Sequence, residues 1–256
     1  MTTVRPIAMI TGATSGIGKA CAQQFAAGGY DLILTGRREE RLLALKQELE
    51  QAGDIQIHTL CFDVRDREAV HAALEGLPAA WKKIAVLINN AGLAAGLASV
   101  SEGDIDDWEV MIDTNLKGLL YVSRQVLPWM QAGKKGHVFN IGSTAGKGVY
   151  PNGNVYCATK HAVDALSKAM RIDLLPYGIK VTAIHPGAVE TEFSLVRFKG
   201  DAQKAEAVYK GFVPLEGKDV AEIVFFCAGL PPHVCINDLV VTSTAQADAH
   251  YFHKLI

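Results

Sequence analysis

Tyr156 and Lys160 stand four residues apart in a segment that continues as an apolar-periodic helix through Ala162, Val163, Ala165, Leu166, Ala169 and Met170. Side chains at that spacing emerge one turn apart on the same helix face, so a phenol and an ammonium become neighbours. A free phenol titrates near pH 10, and bringing it to about 7 takes roughly 4 kcal/mol of preferential stabilisation of the phenolate. A cation about 4 Å away in a partly buried site supplies an energy of that order. The spacing therefore predicts a tyrosine made acidic by Lys160. Ser143 follows a β-like run at 137–141 and adds a hydroxyl beside the phenol. Together these groups offer a proton donor and a hydrogen-bond donor for a carbonyl oxygen. Core packing with a solvated helix end also produces a tyrosine and a lysine four apart, so the flanking elements must decide between the two readings. Cys157, next to Tyr156, reads as a packing residue.

The elements that would position these groups alternate between strand and helix. The apolar run 7–10 leads into Thr11-Gly12-Ala13-Thr14-Ser15-Gly16-Ile17-Gly18 and then an amphipathic helix ending near Gly28-Gly29. Strand, glycine turn and helix form the setting for a phosphate loop. Gly12 and Gly16 let backbone approach a pyrophosphate, Gly18 lets the helix pack close to the strand, and Thr14, Ser15 and Ile17 belong to the same cofactor-binding turn. A second strand at 30–35 ends in Gly36-Arg37-Arg38, about where an NAD-binding fold carries an acidic residue for the ribose 2′-hydroxyl. Two guanidiniums there favour the 2′-phosphate of NADP. Arg37 is the stronger candidate, since Arg38 also reads as the solvated start of the helix at 39–51. A third strand, 55–62, ends at Asp63-Val64, where Asp63 can accept from an adenine amine. A fourth, 84–88, leads into Asn89-Asn90-Ala91-Gly92, with Asn89, Ala91 and Gly92 shaping a ribose floor.

A long helical region follows, with Trp108, Met111, Ile112, Leu116, Leu119, Leu120, Val122, Val126 and Leu127 at helical spacing. Asn115 interrupts that apolar stripe. A buried amide must be satisfied, so Asn115 is either a local clamp or part of a solvent relay, and taken alone it reads as a clamp. A strand at 180–185 is broken by Pro186-Gly187, and 188–193 lies across the mouth of the sheet. The loop 186–214, with one short helical piece at 202–209, is long enough to be a lid. Its Arg197 is either a surface cation or a group that binds an anionic substrate. A helix at 218–228 and a strand at 239–241 complete the sheet. The tail 242–256 is too apolar at Tyr251, Phe252, Leu255 and Ile256 to be free, and is expected to dock on a neighbouring subunit.

These alternating elements predict a single α/β domain over residues 1–256, with a doubly wound parallel sheet and helices on both faces. With 25 basic and 27 acidic side chains the formal charge is -2, which makes no electrostatic case for nucleic acid or an anionic membrane. Small molecules are the expected partners, and no metal site is expected. The amino terminus, Met1 to Pro6, shows no signal-peptide core, and no apolar run approaches about 18 residues, so a cytoplasmic protein is expected. Five cysteines without CxxC spacing fit reduced thiols.

Taken together, Thr11-Gly12-x-x-x-Gly16-Ile17-Gly18, Asn89-Asn90-Ala91-Gly92, Asn115, Ser143, Tyr156-x-x-x-Lys160 and Pro186-Gly187 resemble the short-chain dehydrogenase/reductase family in order and spacing, over nearly the whole chain. The resemblance implies a Rossmann-type domain with seven parallel strands, assembled as a homotetramer. It also implies a catalytic group of Asn115, Ser143, Tyr156 and Lys160, in which Asn115 joins a water relay feeding Lys160. Gly142 to Gly146, Gly153 to Tyr156, Thr191 to Asp201 and Thr244-Ala245-Gln246-Ala247 are more narrowly similar to NADP-dependent 3-hydroxy acid dehydrogenases and to sulfoacetaldehyde reductases. Both classes act on small anions, which makes Arg197 the anion-binding residue with Tyr150 and Gln246 as helpers. Lys147-Gly148-Val149 and the tail after Ala247 depart from that pattern and could line the pocket.

The expected activity is hydride transfer between NADP(H) and a small carbonyl or hydroxy compound bearing an acidic group. Tyr156 would protonate the alkoxide, Ser143 hold the oxygen and Lys160 bind the nicotinamide ribose, with Tyr156 and Lys160 thus touching the cofactor as well. Pro186, Gly187, Val189 and Thr191 would hold the nicotinamide end. A broad carbonyl reductase and a cofactor-sensing protein without chemistry are the alternatives. The charged lid (Glu190, Glu192, Arg197, Lys199) speaks against the first, and the intact Tyr156 and Lys160 against the second.

Overall fold

Strand β1 (Ile7–Thr11) is buried along its whole length because helices cover both faces: Ala8 and Ile10 point into one apolar layer and Met9 into the other. The same logic applies across the sheet in this computed structural model, which describes residues 5–255. The expectations for Met1–Val4 at the amino terminus and for Ile256 in the tail lie outside the described residues. The chain continues through α1 (Gly16–Ala27), β2 (Asp31–Gly36), α2 (Glu39–Ala52), β3 (Ile57–Cys61), α3 (Arg67–Glu75), β4 (Ile84–Asn89), α4 (Ile105–Ile112), α5 (Leu119–Gly133), β5 (Gly136–Ile141), α6 (Asn154–Leu174) and β6 (Ile179–Pro186). It ends with β7 (Val189–Glu190), α7 (Phe193–Arg197), α8 (Ala202–Ala207), β8 (Leu215–Glu216), α9 (Gly217–Ala228) and β9 (Asp238–Val241).

Seven strands form one parallel sheet in the order β3-β2-β1-β4-β5-β6-β9, while β7 and β8 pair separately. Phe25, Leu42, Val220 and Val224 of α1, α2 and α9 fill one face. Val70, Val122, Val126, Val163 and Met170 of α3, α5 and α6 fill the other. The winding reverses between β1 and β4, and the loops leaving those two strands frame a crevice at the carboxyl edge of the sheet, where open α/β folds bind ligands.

Two features differ from the sequence reading. The long helical region is not one α-helix: between α4 and α5 the segment Asp113–Gly118 is π-helical and contains Asn115. Such bulges often sit at functional sites. The segment after β6 carries two short helices, α7 and α8, and is anchored at its ends by the β7–β8 pair, where one helical piece was expected. The tail touches its own chain at a few points while Tyr251 and Leu255 remain exposed. Leu255 N–H donates to Gly211 O at 2.8 Å, Phe252 stacks 5.1 Å from Phe212, and the Lys254 ammonium stands over both rings. No described helix is long and apolar enough to cross a membrane.

Candidate active site

The turn after β1 supplies one wall of the crevice. Gly16 adopts a left-handed φ of 53°, and a Cβ there would sit 3.1 Å from the Thr191 methyl, so a larger residue would push away the segment that crosses the mouth. A Cβ on Gly18 would stand 2.2 Å from Gly12 O, which fixes the close packing of α1 on β1. Helix α1 has no acidic residue in its first turn and no side-chain cap, leaving its N-terminal amides for an anion. The crevice encloses about 1410 Å³, part of it open to solvent.

Most residues singled out in the sequence line this space: Gly12, Thr14, Ser15, Gly16, Ile17, Arg37, Arg38, Asp63, Val64, Ala91, Gly92, Ser143, Tyr156, Lys160, Pro186, Gly187, Val189 and Thr191. Asn89 does not. It is the last residue of β4 and its amide is buried below the floor, donating to Ser123 Oγ at 3.1 Å and Asn140 Oδ1 at 2.9 Å. Asn90 takes the place at the wall and bridges to the glycine turn through Thr11 O and Gly12 O. Arg38 is more than a solvated helix start. Its Nε and Nη2 hold Thr14 Oγ1, at 3.2 and 2.8 Å, and Nη2 also holds Ser15 Oγ at 3.0 Å. Arg37 faces Asp63 at 3.6 Å. Arg65 grips the Asp63 carboxylate more closely, and its hydrogen bonds outweigh burial to keep that group below the usual carboxylate range.

At the other end of the crevice Tyr156 is buried, its ring edge-on to Phe193 at 5.6 Å. Burial pushes its phenol up, and Tyr150 adds to this; the nearby Ser143 hydroxyl and the charge of Arg197 pull the other way. This corrects the expectation of a phenol brought to neutrality by Lys160. The Lys160 ammonium donates to Ile141 O at 2.9 Å, lies 5.9 Å from the Tyr156 ring centre, and is itself lowered to about 8 by burial. Burial acts on both groups in the direction of their neutral forms, raising the phenol and lowering the ammonium. The Asn115 amide is fully engaged: Nδ2 donates to Leu93 O at 2.8 Å and Thr159 Oγ1 at 3.1 Å, while Oδ1 accepts from Leu93 N–H at 2.8 Å. That is the clamp arrangement, and it uses both amide hydrogens.

Arg197 of α7 and Tyr150 do not line the crevice; Arg197 lines a smaller adjoining cavity with Gly96, Trp108, Asn154 and Tyr156. Its Nη2 donates to the Tyr150 hydroxyl at 2.8 Å, and its guanidinium carbon lies 5.3 Å from the Tyr150 ring and 5.7 Å from the Tyr156 ring. A cation thus stands beside the Tyr156 ring. Gln246 does not line the crevice: its Oε1 accepts from Ala188 N–H at 2.8 Å and its Nε2 donates to Asp248 O at 2.7 Å. It ties the tail to the start of the crossing segment. Phe193 and Glu192 line the crevice without having been singled out for it; aromatic and acidic residues on a loop give no sequence signal of direction.

Lys147, Gly148 and Val149 do not line the crevice. Lys147 Nζ bridges Asp164 Oδ1 of α6 at 2.8 Å and Asp238 Oδ2 of β9 at 2.6 Å, tying the loop after Ser143 to the body. Buried His185 donates from Nδ1 to Ser143 O at 3.3 Å behind the same loop. Burial opposes ionisation of Asp164, but hydrogen bonds from Lys147 and Lys168 prevail and lower it from 3.8 to about 2. A depressed carboxylate contributes stability that is present above its unfolded value and lost as pH falls through the folded one, about 2 kcal/mol at most here. Lys147→Met should therefore cost about 1–2 kcal/mol at pH 7, and the difference from wild type should shrink as pH falls from about 4 towards 2. Urea denaturation across that range measures it, and a pH-independent difference would assign Lys147 to packing.

Comparison with known proteins gives a consistent picture. The family model described as short chain dehydrogenase matches residues 6–201. Sulfoacetaldehyde reductase 2 of Chromohalobacter salexigens is 46% identical over 242 residues, which cover 94% of this chain and 95% of that protein. The NADP-dependent 3-hydroxy acid dehydrogenase YdfG of Salmonella typhi is 47% identical over 244 residues, 95% of this chain and 97% of that one. Among solved structures, the closed form of serine dehydrogenase complexed with NADP+ aligns with a TM-score of 0.90 at 48% identity, covering 95% of this chain and 97% of the other.

Proposed function

Since the chain belongs to the short-chain dehydrogenase family, we propose that it is an NADP(H)-dependent oxidoreductase that interconverts a small hydroxy acid, of the 3-hydroxy acid or serine type, with its carbonyl form. The observation that carries the acidic substrate is the Arg197 guanidinium, 5.7 Å from the ring of the proton-donating Tyr156. A carboxylate held there leaves a carbonyl a few bonds away for Tyr156 and Ser143. Similarity to a sulfoacetaldehyde reductase supports a second reading, reduction of a sulfonated aldehyde to isethionate, in which the same guanidinium takes the sulfonate.

The residues fit the dinucleotide. Open first-turn amides of α1 would take the pyrophosphate, Arg37 and Arg38 the 2′-phosphate, Asp63 and Val64 the adenine, Ala91 and Gly92 the ribose, and Pro186, Gly187, Val189 and Thr191 the carboxamide. When bound, this cofactor supplies the hydride in reduction and accepts it in oxidation. Tyr156 gives its phenolic proton to the carbonyl oxygen as it becomes an alkoxide, and Ser143 holds that oxygen. Lys160 holds the ribose end. Asn115 acts by fixing Leu93 and Thr159, since both its amide hydrogens are committed. The segment 186–214 acts as a substrate lid and 242–256 as a tail over it.

A homotetramer in the cytoplasm completes the reading. Five unpaired cysteines agree with a reducing compartment, and exposed Ile172 and Leu175 at the end of α6 offer apolar surface for subunit contact. Steady-state rates with 3-hydroxypropionate, serine, sulfoacetaldehyde and a neutral ketone, each with NADP(H) and NAD(H), test the function. Acids handled at least about tenfold better than the ketone, with NADP(H) preferred, are expected. A preference for the neutral ketone or for NAD(H) would overturn it.

A further inference from the structure

The guanidiniums at the end of β2 are already occupied by carboxylates of the protein itself. Glu192, on the crossing segment, accepts from Arg38 Nη1 at 2.9 Å and from Arg41 Nη1 at 2.7 and 3.0 Å, so its two oxygens are gripped by two cations. Arg38 is meanwhile pinned by Thr14 and Ser15. Those bonds use Nε and Nη2 and fix the guanidinium with Nη1 towards Glu192, so an anion arriving at Nη1 meets the Glu192 carboxylate. We propose that Glu192 is a specificity-determining residue, an internal counter-ion that the 2′-phosphate of the dinucleotide must displace from Arg38 and Arg41. This rests on the NADP reading above and goes beyond it.

The chemistry discriminates between ligands. A 2′-phosphate dianion and a carboxylate compete for the same bidentate donors, whereas a 2′-hydroxyl leaves the ion pairs intact. The carboxylate, favoured by the Arg38 and Arg41 hydrogen bonds, is held below its ordinary range and stays charged throughout neutral pH. All three side chains are partly exposed, so the competition is screened by salt. Position matters too. Glu192 lies between Thr191, which packs over Gly16, and Phe193, which packs on Tyr156. Glu192 therefore sits on the same short stretch that contacts the glycine turn at one end and Tyr156 at the other.

Glu192→Gln tests this without altering any group assigned to the chemistry. Titration calorimetry of wild type and variant with 2′,5′-ADP and with 5′-AMP at low salt is the measurement. The variant should bind 2′,5′-ADP about three- to tenfold tighter and 5′-AMP unchanged, and the gain should shrink at about 0.5 M salt. A wild type that prefers 2′,5′-ADP, paired with a variant that binds it equally or more weakly, would overturn the inference alone and make Glu192 an organiser of Arg38. Equal binding of both ligands by wild type would remove the NADP reading and this inference with it.

Discussion

Tyr156→Phe should lower turnover by about 10²- to 10⁴-fold while NADPH still binds. Only one oxygen is removed. The ring that packs against Phe193 and stands beneath Arg197 stays in place, so folding and the crevice should survive. What disappears is the proton given to the nascent alkoxide. Because burial holds the phenol protonated, the residue is ready for reduction at neutral pH and must first lose a proton for oxidation. The sign follows: wild-type oxidation should accelerate as pH rises from about 6 to 9, reduction should not, and the variant should lose the oxidation slope. Initial rates in both directions, with NADPH binding followed by fluorescence titration, check all three. Unchanged turnover would remove Tyr156 from the chemistry.

The elements were legible because their signals are local. Continuous apolar strands, a glycine turn between strand and helix, and a Tyr-x-x-x-Lys spacing each occupy fewer than about 15 residues and depend on backbone geometry alone. What escaped depends on partners distant in sequence. Asn89 and Asn90 are adjacent and chemically identical, and only the end of β4 decides that the first points below the floor and the second into the wall. Gln246 looks like a substrate ligand until Ala188 and Asp248 take its amide. Arg38 reads as solvated until Thr14 and Ser15 appear beside it. The most instructive failure concerns the Tyr156 phenol: a Coulomb estimate from spacing counts the attraction and omits desolvation, which only burial of both groups reveals.

Arg197→Ala should raise KM for acidic substrates by about 10- to 100-fold, leave kcat within about threefold, and change a neutral aldehyde by less than about twofold. A hydrogen bond to a charged group contributes about 1.5–3 kcal/mol, and about 1.4 kcal/mol is tenfold in binding. The anion keeps its charge throughout the reaction, so the loss falls equally on ground and transition states and appears in KM. Arg197 also has structural ties, since it donates to Tyr150 at 2.8 Å and its carbonyl accepts from Gly96 N–H at 3.0 Å. The side-chain substitution leaves the second tie intact but frees the Tyr150 hydroxyl, and the neutral substrate reads out that disturbance. Arg197→Lys separates charge from geometry. It keeps the cation and loses the planar fork, so it should recover part of the lost KM for acids and nothing for the neutral compound. An equal loss on the acidic and neutral substrates would end the anion-binding role and leave Arg197 as the residue that holds Tyr150 over the proton donor.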